Sequence, residues 1–98
     1  MYKILIDQNI LDDISNAKKW YNLQQNGLGK RFTDSIKLSI DSLKINPFLY
    51  AIRYDDIRCC LIDTFPYLIH YQIFESEKKV VVTGVFHTSR NPEIWEKE

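Results

Sequence analysis

Five side chains in this sequence have types and positions that could do chemistry: His87, Arg90, Arg58, His70 and Tyr71. A histidine titrates near neutrality and so suits proton transfer. His87 is placed for such a role, at the end of the last apolar run and beside the polar turn Thr88-Ser89-Arg90. Its plainer role is to close a strand by bonding a neighbouring carbonyl. The planar fork of Arg90 suits a phosphate or an acidic partner peptide, and a surface ion pair with Glu93 would serve it equally well. Arg58 follows Asp55-Asp56, which offers a carboxylate partner as readily as the arginine offers a phosphate clamp. His70 and Tyr71 are neighbours in one strand pattern and face opposite sides, so at most one of them shares a face with any given site. Tyr71 reads more readily as core than as a proton donor.

The elements that must position these groups follow from hydropathy. Tyr2 to Asp7 alternates as a strand does, and Asp7 or Asn9 can cap a following helix. That helix should run to about Gln25, with Ile10, Ile14, Ala17 and Tyr21 on its inner stripe and Leu11 and Trp20 widening it. Asn26-Gly27 ends it, and Gly29 allows a tight reversal into a second helix. Phe32, Ile36, Ile40 and Leu43 make the inner stripe of that helix, which stops at Asn46-Pro47. A loop with Phe48, Tyr50 and Arg53 follows. Strands are expected over Arg58 to Thr64, Tyr67 to Phe74 and Val80 to His87. Since the sheet and the helical hairpin must each bury a face, the economical fold is α+β, β-α-α-β-β-β, with the hairpin packed on an antiparallel sheet.

Composition bounds the class. With 98 residues and 45% hydrophobic content, the chain suits a single domain over 1-98 that hides about two-thirds of its unfolded surface. No apolar run reaches the roughly 20 residues needed to cross a bilayer, and the start MYKILIDQN lacks the pattern of a signal peptide. The expected location is cytoplasmic, with no membrane role. Cys59 and Cys60 are adjacent on a strand and point to opposite faces, so a bond between them would be strained. Thirteen Lys and Arg balance thirteen Asp and Glu, whereas a protein that grips a nucleic-acid backbone usually carries a basic excess. The charge is uneven. Residues 15 to 44 hold six basic and two acidic side chains, a surplus of four, while residues 45 to 98 hold six and eight, a deficit of two.

Several of these landmarks fall in one order at close to one spacing: Trp20-Tyr21, Gly27-Leu28-Gly29-x-x-Phe32, Asn46-Pro47, Ile57-Arg58, Phe65-Pro66-Tyr67, Tyr71 and the tail His87-x-x-Arg90-x-Pro92-x-x-Trp95. That string resembles the RelE/ParE superfamily of small toxins over nearly the whole chain, and it implies the same β-α-α-β-β-β layout. The resemblance implies a toxin of a type II toxin-antitoxin pair that inhibits bacterial growth and stabilises plasmids. Its nuclease members cut ribosome-bound mRNA by in-line attack of a 2′-hydroxyl on the adjacent phosphate, a chemistry that needs a base, an acid and cations but no metal or other cofactor. On that model His87 is the base or acid, Arg58 and Arg90 are phosphate clamps, and Tyr71 or His70 is an auxiliary proton donor.

The tail looks more like the ParE-type branch, whose described members bind and poison DNA gyrase. Confident ribosome-dependent members are markedly basic, and the sheet half of this chain is acidic. A growth inhibitor of gyrase is therefore the leading expectation. A ribosome-dependent mRNA endoribonuclease is the alternative, and a member without toxicity that only binds a partner is the third. The resemblance also implies an antitoxin partner with a segment that folds across the toxin, and no small-molecule substrate. Thirteen aromatic rings are many for so small a core, so some should lie at the surface.

Overall fold

The computed structural model describes residues 1–89, and the tail positions Arg90, Pro92, Glu93 and Trp95 lie outside them. Strand β1 spans Lys3–Ile6, α1 Gln8–Gln24, α2 Leu28–Ile45, β2 Ile52–Tyr54, β3 Ile57–Leu61, β4 Tyr67–Phe74 and β5 Lys79–His87. Single 3-10 turns at Pro47–Leu49 and Glu75–Glu77 join the larger elements. The two helices cover one face of a five-stranded sheet ordered β1-β5-β4-β3-β2.

Asp7 caps α1, its carboxylate accepting from the Ile10 amide at 3.1 Å. This satisfies one of the amides that a helix start leaves open. Gly27 adopts φ 88 between the helices, a left-handed conformation that costs a side-chain-bearing residue about 1–2 kcal/mol. Asn22 holds the reversal, its side-chain oxygen accepting from the Gly27 and Gly29 amides. The reversal therefore turns on Gly27. Gly29 lies within α2 and serves close helix contact, since a Cβ there would fall 2.5 Å from the Lys18 carbonyl oxygen and 2.9 Å from Lys18 Cγ.

The expected layer of a helical hairpin on a sheet is what forms, and the sheet has two further features. β1 joins its edge in parallel with β5, Lys3 opposite Lys79 and Ile6 opposite Val82. A parallel pair needs a long crossover, which the helical hairpin and the strands after it supply. The second feature is β2, which includes Arg53 from the segment expected as loop. Asp55 and Asp56 adopt φ 43 and 65, the positive values of a two-residue hairpin turn. They fold β2 onto β3, with Ile52 opposite Arg58.

Phe32, Leu43, Ile69, Tyr71 and Val80 form the buried centre, and Ile10, Tyr21 and Ile36 close it from the helices. Ile14, Ala17 and Ile40 pack against it. Leu11 and Trp20 do not widen the inner stripe of α1. Both are exposed, Trp20 to 57%, because Tyr21 occupies the inward position and the neighbouring residue is rotated about 100° away. Between β4 and β5 the register shifts, so that His70 faces Gly84 and Tyr71 faces Val82, leaving Thr83 extra. This bulge keeps Val82 and Val85 both on the core side. On the opposite face Cys59 and Leu68 are buried with Tyr54 and Phe86 against them. Cys59 and Cys60 thus point to opposite faces as expected, and both are buried and free. Of the twelve aromatic rings in the described residues, Trp20 and Phe48 alone are exposed, so aromatic surface is local rather than widespread.

Replacing Gly29→Ala sets two effects in opposition. Helix propensity favours alanine by about 1 kcal/mol, but the new methyl meets backbone, and such overpacking costs about 1–3 kcal/mol. Net destabilisation in urea unfolding is the expected result, and a gain in stability would show that α1 gives way without cost.

Candidate functional site

β4 positions Tyr71 under the helices with 0% exposure. Its hydroxyl donates to the Pro47 carbonyl at 2.6 Å, fixing the turn that follows α2. Burial pushes its phenol well above the ordinary range, with the thiol of Cys60 adding to the effect. Tyr71 has no route to an external substrate and its proton is committed to a backbone carbonyl. In this structure its bond is a structural one, tying β4 to the turn after α2.

Arg58 lies opposite Tyr71 in the β3–β4 ladder. It does not pair with Asp55 or Asp56. Its Nη1 donates to the Tyr50 carbonyl at 2.6 Å and its guanidinium lies 5.2 Å from the centre of the Phe48 ring. The turn that carries Asp55 and Asp56 aims their backbone into positive φ, and the arginine instead ties down the segment after α2. It borders a small hollow of about 180 Å³ with Phe48, Ile52, Asp56, Gln72, Ile73 and Glu75. With Asp56 and Glu75 on the rim, this hollow does not favour an anion.

His87 is at the other end of the sheet, opposite Tyr67. Tyr71 is four positions beyond Tyr67 on β4, roughly 13 Å along the strand. His87, Arg58 and Tyr71 are therefore not gathered around one reacting atom. His87 is exposed, and its Nδ1 accepts from the Ser89 amide at 3.1 Å. That bond places the proton of the neutral ring on Nε2, so His87 presents an N–H donor outward. The ring stands edge-on to Tyr67 at 5.3 Å.

Two hollows share Tyr67 and His87. One, about 620 Å³, is lined by Trp20, Tyr21, Pro66, Tyr67, His87 and Ser89. The other, about 450 Å³, adds Asp13, Asn16 and Ala17 from α1 and Val85 and Phe86 from β5. Together they make a trough between α1 and the end of the sheet. Asp13, Asn16, Ala17 and Trp20 share a helix face through spacings of three and four. That periodicity was available in the sequence, but the inner stripe beside it carries the larger hydrophobic residues and draws attention away. The trough offers an aromatic plate, the Asp13 carboxylate and N–H donors on His87, Asn16 and Trp20, and no Lys or Arg is among its lining residues.

His70 is buried on the face away from the helices, its Nδ1 2.9 Å from the Tyr54 hydroxyl and 3.6 Å from Cys59 Sγ. Burial first, and the charge of Arg53 second, lower its pKa to about 4. Burial raises the thiol of Cys59, so this pair stays neutral and unreactive near neutrality. His70 and Tyr71 do face opposite sides, and neither shares the face of His87 with access to solvent. Arg90 lies outside the described residues. Among the described residues no three His, Cys, Asp or Glu side chains gather as a metal ion would require, and no helix is long and apolar enough to cross a membrane.

Two measurements follow from this geometry. Tyr71→Phe strands a buried carbonyl, so it should destabilise the fold by about 1–3 kcal/mol while leaving any toxicity of the folded protein intact; abolished toxicity at unchanged stability would make the hydroxyl reactive after all. His70 has a folded pKa below its unfolded value of 6.5. The unfolded chain therefore binds the proton first, and stability is lost as pH falls from 6.5 towards 4. The loss should be on the order of 3 kcal/mol, measured by urea unfolding across that range. In His70→Leu this part of the pH dependence should vanish, and an unchanged slope would assign it to other groups.

A family model described as the ParE toxin of the type II toxin-antitoxin system, parDE, matches residues 4–92. No curated protein matches the chain in sequence. Among solved structures, the isolated RelE toxin of E. coli superposes with a TM-score of 0.68 at 17% identity, covering 99% of this chain and 95% of that one. A chain of the intact E. coli RelBE toxin-antitoxin complex gives 0.70 at 17%, covering 92% and 100%. The chromosomal ParDE toxin-antitoxin system of P. aeruginosa gives 0.64 at 8%, covering 89% and 96%. At these identities the structural likeness is one of fold.

Proposed function

Since the chain belongs to the family of ParE toxins of type II toxin-antitoxin systems, we propose that it arrests bacterial growth by binding DNA gyrase, and that an antitoxin protein neutralises it. The observation that carries the reading is the dispersal of the groups that RNA cleavage would need. Tyr71 is sealed beneath the helices, Arg58 is committed to Tyr50 and Phe48 at one end of the sheet, and His87 stands at the other. In-line cleavage requires an acid and a base within hydrogen-bond reach of one phosphate, with cations around it. A formal charge of zero also gives little attraction to a nucleic-acid backbone. Inhibition by binding needs a matching surface but no group that reacts, so it does not require these side chains to be gathered.

One observation favours the ribosome-dependent nuclease as the second reading. His87 is exposed with its neutral tautomer fixed, which is how a proton-transfer histidine must be presented. The two readings separate on induced expression in a bacterial host, with message 5′ ends and chromosome breaks mapped in the same cells. Growth arrest with DNA breaks and intact messages is the expected outcome, and it should persist in His87→Ala. New cuts within translated messages that disappear in His87→Ala would instead establish the nuclease. Absence of arrest would reduce the chain to a binding partner.

A further inference from the structure

Trp20 is 57% exposed, yet it is not a loose surface ring. It stands edge-on to Tyr21, with centroids 5.1 Å apart and planes at 80°. Tyr21 in turn meets Tyr67 at 6.2 Å and 63°, and Tyr67 meets His87 at 5.3 Å and 78°. All four rings line the larger hollow of the trough. Each is turned steeply to the next, which makes corners rather than the flat plate on which a nucleobase stacks. Such a corner presents ring faces from more than one direction, and the negative face of a ring attracts a cation within about 6 Å of its centre.

The smaller hollow continues past Tyr67 and His87 to Asp13 and Asn16. Both are exposed on α1, and neither side chain makes an ion pair or hydrogen bond among the described residues. The Asp13 carboxylate and the Asn16 amide oxygen are acceptors for an ammonium. Between the two ends the lining includes Ala17 from α1 and Val85 from β5. No Lys or Arg among the described residues lines either hollow, and Lys18, next to Ala17, turns its stem toward Gly29 on α2. The trough thus has two ends that favour positive charge, joined by a stretch that favours hydrocarbon. Asp13 and Trp20 are seven residues apart, roughly 10 Å along α1, on the order of the length of an extended aliphatic polyamine.

We propose that the trough binds a free aliphatic polyamine, with one ammonium on Asp13 and Asn16, the alkyl chain along Ala17 and a second ammonium against the rings of Trp20, Tyr21 and Tyr67. An anion would meet the Asp13 carboxylate and no cation. A single lysine side chain from another protein would fill one end and leave the other empty. The ligand is held without any bond being made or broken, and the site does not depend on which target the toxin has.

The test is calorimetric titration of the full chain with spermidine at physiological ionic strength, where diffuse charge attraction is screened. Saturable binding of one spermidine per chain is expected, with butylamine, which carries one ammonium, at least about tenfold weaker. Asp13→Asn and Trp20→Leu should each weaken spermidine binding about tenfold. Asp56→Asn, which removes a carboxylate from the hollow beside Arg58, should leave it unchanged. All three positions are exposed, so circular dichroism should remain that of the wild type. In a Trp95→Phe chain Trp20 is the sole tryptophan, and its emission should change as spermidine saturates the site. The proposal is overturned if spermidine shows no saturable binding, or if Asp56→Asn weakens it as much as Asp13→Asn does. It is overturned equally if Trp20 emission stays fixed at saturation. Butylamine binding as tight as that of spermidine would overturn the two-ended ligand and assign the trough to a lone ammonium, such as a lysine side chain.

Discussion

The arrangement of the molecule depends on four aromatic rings that join its two layers. Tyr21 from α1 and Phe32 from α2 lie 5.1 Å apart, and both meet Phe65, at 4.9 and 5.4 Å. Tyr67 at the start of β4 completes the cluster, 5.0 Å from Phe32 and 6.2 Å from Tyr21. Most of these pairs are edge-to-face, a geometry worth about 0.5–1.5 kcal/mol per pair beyond area burial. A helical hairpin has no fixed position on a twisted sheet until such contacts choose one. Here they seat the hairpin over the β3–β4 turn. Consequently α1 becomes one wall of the trough beside His87.

The same seating separates what the sequence places in series. Tyr71 is four residues beyond Tyr67 on one strand, yet the first lies beneath the C-terminal end of α2 and the second beside His87. A strand extends roughly 3.3 Å per residue, so side chains that appear close in a motif are held well apart by a straight β4. Arg58 follows Tyr71 through the ladder register. The dispersal of the candidate groups is thus a consequence of strand geometry and of the bulge at Thr83, which leaves the core side continuous while shifting the outer face.

Elements with strong periodicity were legible in the sequence. The stripe from Phe32 to Leu43 and the cap at Asp7 are local signals with local causes, and the structure realises both. β2 was not legible, because three residues carry too little alternation and the Asp55-Asp56 turn that follows them is not the usual Asn-Gly. Nor was the parallel placement of β1, which depends on pairing across more than seventy residues. At the candidate site, Tyr71 was legible as core and His87 as the end of the last strand beside a polar turn. The ties of Arg58 to the Tyr50 carbonyl and Phe48 were hidden, since its nearest charges in sequence are two aspartates. A tertiary contact with a backbone oxygen leaves no trace in residue types.

The central claim is that this toxin acts by occupying a protein target rather than by cutting RNA. It is tested most directly with purified components, by adding the chain to gyrase acting on plasmid DNA and, in parallel, to ribosomes holding a translated message. The account predicts that supercoiling stops and broken plasmid accumulates while the message remains whole. Cleavage of the ribosome-bound message with gyrase unaffected would contradict it.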